Sequence, residues 1–284
     1  MSQTDYSAIF PYLCRPIQTQ NFDDIKPSTR TCIARLHSNV ALKAFYENAQ
    51  LANIQQPKIK RKKLKIQQLE IGPPGSIISM LYDGVYKGVQ TRQNPQLFLN
   101  QLTFIMSLDS TNVNFKLFQN GVFQATGCKT KQHEYDIARF LVEEGRRIER
   151  ENPDVVIFDK EPVINDSTTV MINIDFKLGF NIDRKALNKH IAGLNGFEST
   201  FDENLTNSGV SVKMPRSAEE NSKKDTFICF HTGTVLLSGD DLERMKKLYY
   251  KFLETIDTIK YHIVTSYESI KFDTRRYIKV KLVE

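Results

Sequence analysis

The chain has 284 residues and a formal net charge of +6, with 39 Lys and Arg against 33 Asp and Glu. That length has room for one large or two small domains, and the excess of basic residues favours a polyanionic partner without requiring one. The four cysteines are scattered with no CxxC pair, which argues against a zinc site and a disulfide scaffold. There is no secretory signal and no apolar run of about 18 residues, so we expect a soluble intracellular protein without a membrane partner.

The first elements predicted along the chain are a leader, a strand and a helix. Residues 1–27 are interrupted by prolines and predict an N-terminal leader. The alternating residues 30–36 predict a strand, and residues 40–52 carry apolar side chains at helical spacing. An insert at 55–92 follows, and its Asp83-Gly84 pair predicts a hairpin turn.

The insert contains a basic run, in which six of the eight residues from 58 to 65 are Lys or Arg. Such a run is typical of a phosphate-binding arm or a nuclear-import signal, and equally of a solvated loop that charge keeps soluble. Both interpretations stay open. The basic side chains are Lys58, Lys60, Arg61, Lys62, Lys63 and Lys65.

The remaining segments predict two similar sets of strands and helices. In the first half these are strands at 101–108 and 114–118, a turn at Asn120-Gly121, a returning strand, and a helix at 131–152 with Tyr135, Ala138, Leu141 and Val142 on its apolar face. In the second half they are a strand at 169–180, a helix at 183–194 capped by Asp183, strands at 209–214, 226–230 and 234–239, a helix at 240–256, and a strand at 276–283.

A repeated motif relates the two halves. FQNGVFQATGCK at 118–129 and FHTGTVLLSGDD at 230–241 match in their phenylalanine, their two glycines and a hydroxyl residue, at a constant separation of 112 residues. Each half then reads strand, helix, three strands, helix, which predicts a duplicated α+β fold. We expect one curved antiparallel sheet with helices on a single face, which leaves the other face free for a ligand.

The repeated pattern F-x-x-G-x-x-x-x-S/T-G, followed each time by an amphipathic helix, resembles the TATA-binding protein family. QNPQLF at 93–98 is similar to an Asn-Pro segment of that family, and the divergence is similar to that of members in large DNA viruses. The resemblance implies a saddle with helices on its convex face. It divides the chain into a leader (1–27), a first repeat (28–154, with the basic insert), a second repeat (155–257) and a C-terminal extension (258–284).

The resemblance also implies a set of DNA-binding residues. The phenylalanine wedges are Phe98, Phe118 and Phe230, and the region of a fourth wedge offers only Leu205 or Asn207. Thr29 and Thr169 stand near the central asparagines of the family, and Lys129 and Lys213 match its phosphate-binding positions. Gln124, Leu236, Thr126 and Ser238 complete the set on the strands. A phenylalanine before a hairpin turn is, without the repeat, more often a core residue than a wedge.

The function implied by the resemblance is that of a general transcription initiation factor, in the nucleus or in a cytoplasmic viral factory. It binds and bends AT-rich promoter DNA through the minor groove, and it recruits a B-type general factor and RNA polymerase. We expect no enzyme, cofactor, metal or small-molecule substrate, since the sequence has no P-loop, HExxH or GxSxG motif.

The alternative function is a protein-interaction scaffold of the same fold with reduced or lost DNA binding. It is favoured by the acidic pair Asp240 and Asp241, which would repel phosphate, by the missing fourth wedge, and by the threonine replacements at the central positions. Because the first repeat keeps more of the family residues, we expect any DNA binding to be led by the N-terminal half.

Overall fold

The computed structural model describes residues 17, 20–55, 64, 66, 69–93, 100–109, 111–164, 166–194, 196–205, 208–216 and 223–265. These residues form two compact units. The first unit comprises residues 28–171, and the second comprises residues 172–265 together with the described residues before 28. The predictions at Phe98, at the six basic residues of 58–65 and at the strand 276–283 lie outside the described residues.

The first unit is an antiparallel sheet, ordered β3-β2-β4-β5-β6-β1, with two helices. Its elements are β1 (Thr29–Arg35), α1 (Leu42–Asn48), β2 (Ile77–Tyr82), β3 (Val85–Gly88), β4 (Gln101–Ser107), β5 (Asn112–Phe118), β6 (Val122–Cys128) and α2 (Gln132–Glu151). The β2–β3 hairpin confirms the turn predicted at Asp83-Gly84, where both residues have positive φ.

Both helices of the first unit pack on one face of its sheet. Val113, Phe115 and Leu117 alternate along β5 with partly exposed residues, and all three are fully buried in a core that includes α1 and α2. The period-2 pattern of the sequence therefore separates the face covered by these helices from a face that no helix of the described residues covers, here termed the helix-free face.

The second unit repeats this arrangement, in the strand order β7-β11-β10-β9-β8. Its elements are β7 (Asp166–Lys177, which begins in the first unit), α3 (Arg184–Ala192), β8 (Glu198–Thr200), β9 (Val210–Pro215), β10 (Lys224–Cys229), β11 (Thr234–Gly239) and α4 (Leu242–Ile263). Asp183 caps α3 as predicted, since its side chain accepts hydrogen bonds from the N–H groups of Lys185 and Ala186.

Backbone hydrogen bonds match between the two hairpins that carry the repeated motif. The N–H of Gly121 donates to Phe118 O and that of Gly233 to Phe230 O, both at 2.9 Å, and both glycines have a φ of 73°. The two motifs therefore fold into the same three-residue hairpin loop, in which glycine supplies the left-handed residue.

Four features differ from the sequence predictions. β8 lies in a segment without a strand pattern, and it forms because it pairs with the edge of β9. Helix α4 continues to Ile263, past the predicted end at 256. Tyr135 is 40% exposed, because the buried stripe of α2 runs through Ile137, Leu141 and Ile148 instead. Within the predicted leader, Phe22 and Ile25 are buried in the core of the second unit.

Candidate nucleic-acid interface

The helix-free face of the first unit presents rows of side chains in register across its strands. Ile33, Gln124, Lys116 and Thr103 form one row, and Thr31, Thr126, Asn114 and Ile105 form the next. Apart from the buried Thr31 and Ile105, these side chains are half-buried or exposed, which contrasts with the fully buried opposite face. The face mixes hydroxyl, amide and apolar groups and carries one lysine.

The second unit presents equivalent rows. Asp175, Leu236, Ile228 and Ser211 form one row, and Asn173, Ser238, Thr226 and Lys213 form the next. Ser238 donates to Asn173 Oδ1 at 2.7 Å, at the position where Thr126 and Thr31 place their hydroxyl oxygens 3.4 Å apart in the first unit. The predicted residues Gln124, Leu236, Thr126 and Ser238 thus all lie on helix-free faces.

Phe118 and Phe230 occupy matching positions at one end of these faces. The alternation of side chains along β5 and β10 places each phenylalanine on the face opposite the helices. Each of the two side chains is only half-buried. Their burial contrasts with that of Phe115 and Phe227, which point into the two cores and are fully buried. These two of the three predicted wedges are therefore partly exposed aromatic side chains beside a hairpin turn.

The threonines predicted at the central positions have different surroundings. Thr29 is the first residue of β1 and is half-exposed. Thr169 donates to Glu134 Oε1 at 3.1 Å, and the hydroxyl of Ser167 also donates to this carboxylate, which belongs to α2 and is 1% exposed. A base contact by the Thr169 hydroxyl would have to break this hydrogen bond.

The two predicted phosphate-binding lysines lie on the surface. Lys129 follows β6, and its ammonium group donates to the carbonyl of Ser28. Lys213 lies exposed on β9, between Thr226 of β10 and Glu198 of β8. Each unit therefore holds one of these lysines at or beside its helix-free face.

The acidic pair after β11 is engaged inside the second unit. Asp241 caps α4 by accepting from the N–H of Arg244 at 2.8 Å. Arg216 and Arg244 both bind Asp240 and both bind Asp225, whose side chain is fully buried. Partial burial raises the pKa of Asp240, but hydrogen bonds from the two arginines outweigh it and hold that pKa below its usual value.

This arrangement corrects the interpretation of Asp240 and Asp241 as free negative charge. Two carboxylates and two guanidinium groups form a closed network without net charge, and the second aspartate is a helix cap. Repulsion of phosphate by this pair is therefore weaker than the sequence indicates, because each carboxylate already has a close donor.

The sequence interpretation missed several side chains on these faces. Asn114 and Lys116 lie on β5 beside Phe118, and Thr226 and Ile228 are their counterparts on β10. The alternation of β5 carried the signal, because these residues fall between the buried Val113, Phe115 and Leu117. A resemblance transferred by motif residues overlooks positions whose residue type differs from the family.

No group of three or more His, Cys, Asp or Glu side chains among the described residues could hold a metal ion. His190 and His262, which are far apart in sequence, stack with ring centroids 4.7 Å apart. Cys32 and Cys128 are buried neighbours, and the hydrogen bond between them together with burial raises the pKa of the Cys128 thiol.

A curated protein of Acanthamoeba polyphaga mimivirus, described as TATA-box-binding protein-like, is 28% identical to the chain over 215 residues. The match covers 69% of this chain and 53% of the viral protein, so the chain spans about half the length of that relative. This chain resembles the TATA-binding protein family. The resemblance to TATA-binding-protein-like factors of large DNA viruses, predicted from the repeated motif, is thereby confirmed.

Neither family models nor solved structures add evidence for this resemblance. A search of family models found no match. The solved structure of Methanococcus jannaschii TBP aligns with 83% of this chain and 99% of its own, at 14% identity and a TM-score of 0.46. The α+β class predicted for a TATA-binding-protein-like fold agrees with both units, each an antiparallel sheet with helices on one face. No helix among the described residues has the length and apolarity needed to span a bilayer.

Proposed function

We propose that this chain is a transcription initiation factor of the TATA-binding-protein type, which binds AT-rich promoter DNA in the minor groove through the helix-free faces of its two units. The observation that carries the proposal is the matched pair Phe118 and Phe230. Each is a half-buried aromatic residue at the same position of a repeated hairpin, on the face that no helix covers. Two such side chains can insert between base steps and kink the duplex.

The remaining groups of the two faces suit a minor groove. Thr126, Ser238, Leu236 and Ile228 offer hydroxyl and apolar groups, which fit a groove floor that distinguishes A·T from G·C pairs but carries little further information. Specificity then comes mainly from how easily a sequence deforms. Lys129, Lys213 and a net charge of +6 supply attraction to phosphate.

The proposal extends to partners and location. A B-type general factor and RNA polymerase are the partners that the resemblance implies, and the nucleus or a cytoplasmic viral factory is the compartment in which they would meet DNA. We assign no enzymatic activity to the chain. A scaffold without DNA binding is the second candidate, and it loses one of its arguments because Asp240 and Asp241 are engaged within the second unit.

Fluorescence anisotropy with AT-rich and GC-rich duplexes at several salt concentrations tests the proposal. We expect tighter binding to the AT-rich duplex and a negative slope of log affinity against log salt. Phe118→Ala and Phe230→Ala should each weaken AT-rich binding by about tenfold or more, roughly 1.4 kcal/mol. Tyr135→Ala is the matched control, since it removes an exposed aromatic side chain from helix α2 and should leave the affinity unchanged.

Two results would overturn the proposal. One is binding that is equal on both duplexes and insensitive to both phenylalanines, and the other is no binding at low salt. Either result favours the scaffold, and the search for its protein partner would begin with a pull-down on the intact chain.

A further inference from the structure

Part of the insert lies on the helix-free face of the first unit. Ile105 points to that face, because its neighbours Phe104 and Met106 belong to the core beneath the helices. It is nevertheless only 2% exposed, since it is buried in a separate cluster with Ile78 of β2. The residues that complete this cluster, here termed the cover, are Ile54, which directly precedes the insert, and the insert residues Leu64, Ile66, Leu69 and Val89.

Polar contacts hold the cover in place at the same corner of the sheet. Asn112 of β5 donates through Nδ2 to the carbonyls of Leu69 and Glu70, each at 3.1 Å. Its Oδ1 accepts from the hydroxyl of Ser107 at 2.8 Å, and the N–H of Gly72 donates to that hydroxyl at 2.8 Å. Because Asn112 and Ser107 are themselves buried, this network ties residues 69–72 to the sheet in one geometry.

The backbone of the insert adds further fixed points. The N–H of Leu64 donates to Thr91 O at 2.9 Å, and the N–H of Val89 donates to Ile78 O at 3.1 Å. The cover therefore has a buried apolar core, a buried amide anchor and backbone pairing, which are properties of a permanent part of a fold rather than of a displaceable segment.

Among the described residues, the equivalent corner of the second unit has no such cover. Lys213 stands where Ile105 stands in the first unit, and Lys224 stands where Asn112 stands. Both lysines are exposed, and Lys224 pairs with Glu198 of the edge strand. In the part of the chain that the structure describes, this corner is therefore apolar and covered in the first unit and carries two exposed lysines in the second.

We propose that the cover is a fixed boundary of the DNA-binding face, which removes the corner around Ile105 and Asn112 from contact with DNA and leaves the exposed side chains of β1, β5 and β6, with Lys129 just beyond β6, for contact in the first unit. This inference rests on the proposed function. It gives DNA binding a built-in asymmetry, because the described residues at this corner are exposed lysines in the second unit and apolar or hydrogen-bonded beneath the cover in the first.

Two asparagines on one strand provide a matched test. Asn112 and Asn114 lie two residues apart on the same face of β5, the first beneath the cover and the second outside it. Asn112→Ala should lower the melting temperature and leave the affinity for an AT-rich duplex within about twofold. Asn114→Ala should leave the melting temperature nearly unchanged and weaken the affinity by about threefold to tenfold, as expected for the loss of one hydrogen bond.

Hydroxyl-radical footprinting of the intact wild-type protein provides the second readout. On adding the AT-rich duplex, Phe118 and Ile33 should become less reactive, while Ile54, Leu64 and Ile66 keep the reactivity that they have in the free protein. Increased reactivity of these three residues, or an affinity that rises more than about fivefold in Asn112→Ala, would mean that DNA displaces the cover. Decreased reactivity would mean that DNA contacts the cover. Each of these results overturns the boundary alone, whereas unchanged reactivity at Phe118 and Ile33 would overturn the proposed function as well.

Discussion

The glycine of each repeated hairpin illustrates how a single residue determines the motif. A Cβ added to Gly121 would overlap with the carbonyl oxygen of Ser38, and one added to Gly233 would overlap with that of Phe180. Gly179 also has a positive φ, of 84°, but nothing lies within 4 Å of its Cβ position. The hairpin glycines are therefore required both by backbone conformation and by the close approach of another segment.

Replacement of Gly121 and of Gly179 should separate the cost of backbone conformation from the cost of the close approach. Gly179→Ala imposes only the cost of a left-handed conformation, about 1–2 kcal/mol. Gly121→Ala adds a backbone collision and should lower the free energy of unfolding by roughly 3 kcal/mol or more. Urea unfolding of both variants measures the difference. Equal losses would show that the backbone near Ser38 moves aside freely.

At the level of elements, an ion-pair network joins the start of α4 to strands β9 and β10. The carboxylate of Asp225 is fully buried and accepts from Arg216 and from Arg244, and both arginines continue to Asp240. In the first unit, the position of Asp225 is taken by Val113 in the apolar core. This end of the core therefore contains an ion-pair network in the second repeat and apolar side chains in the first.

Replacement of one arginine tests how much this network contributes to the stability of the fold. Arg244→Met leaves the buried Asp225 with one of its two arginine partners and no donor at Oδ2, and it should destabilise the protein by about 3–5 kcal/mol. Arg139→Met is the control, because the half-exposed Arg139 makes only long 3.5 Å pairs on α2, with Asp136 and Glu143, and each should contribute less than about 1 kcal/mol. The melting temperatures of the two variants, monitored by circular dichroism, measure these losses. Similar small losses would mean that Arg216 alone satisfies Asp225.

Over the whole molecule, several carboxylates in both units have a lowered pKa. Burial raises the pKa of Glu149, but hydrogen bonds from backbone N–H groups and Arg146 outweigh it. A hydrogen bond from the Ser38 hydroxyl lowers the pKa of Asp159 in the same unit. Asp240 provides the corresponding case in the second unit. The folded state thus favours the ionised forms of these carboxylates.

The stability of the protein should consequently fall in acid. A carboxylate whose pKa is lower in the folded than in the unfolded state stabilises the fold above its ordinary pKa, and this contribution disappears as the pH falls through the lowered value. We expect the melting temperature to drop between about pH 5 and pH 2, within the range where lowered carboxylates titrate. Asp240→Asn should show a smaller drop than wild type. A melting temperature independent of pH across that range would contradict the assignment.

The sequence by itself determined the chain order of the described strands and helices other than β8, the duplication and the fold class. These follow from local signals: alternation separates the two faces of β5, helical spacing marks α2, and the glycines of the repeated motif mark equivalent turns. Such signals survive divergence because each depends on residues close together in the chain. The wedge candidates Phe118 and Phe230 could be predicted from the sequence for the same reason, since the repeated motif contains them.

Only the tertiary structure decided which surfaces stay open. The cover over Ile105, the hydrogen bond from Thr169 to Glu134 and the arginine partners of Asp240 each join residues that are distant in sequence. No local pattern encodes such a pairing, since a hydrophobic or charged residue has the same appearance whether or not a partner reaches it. The extent of the binding face is therefore a property of packing, while its position on the strands is a property of the sequence.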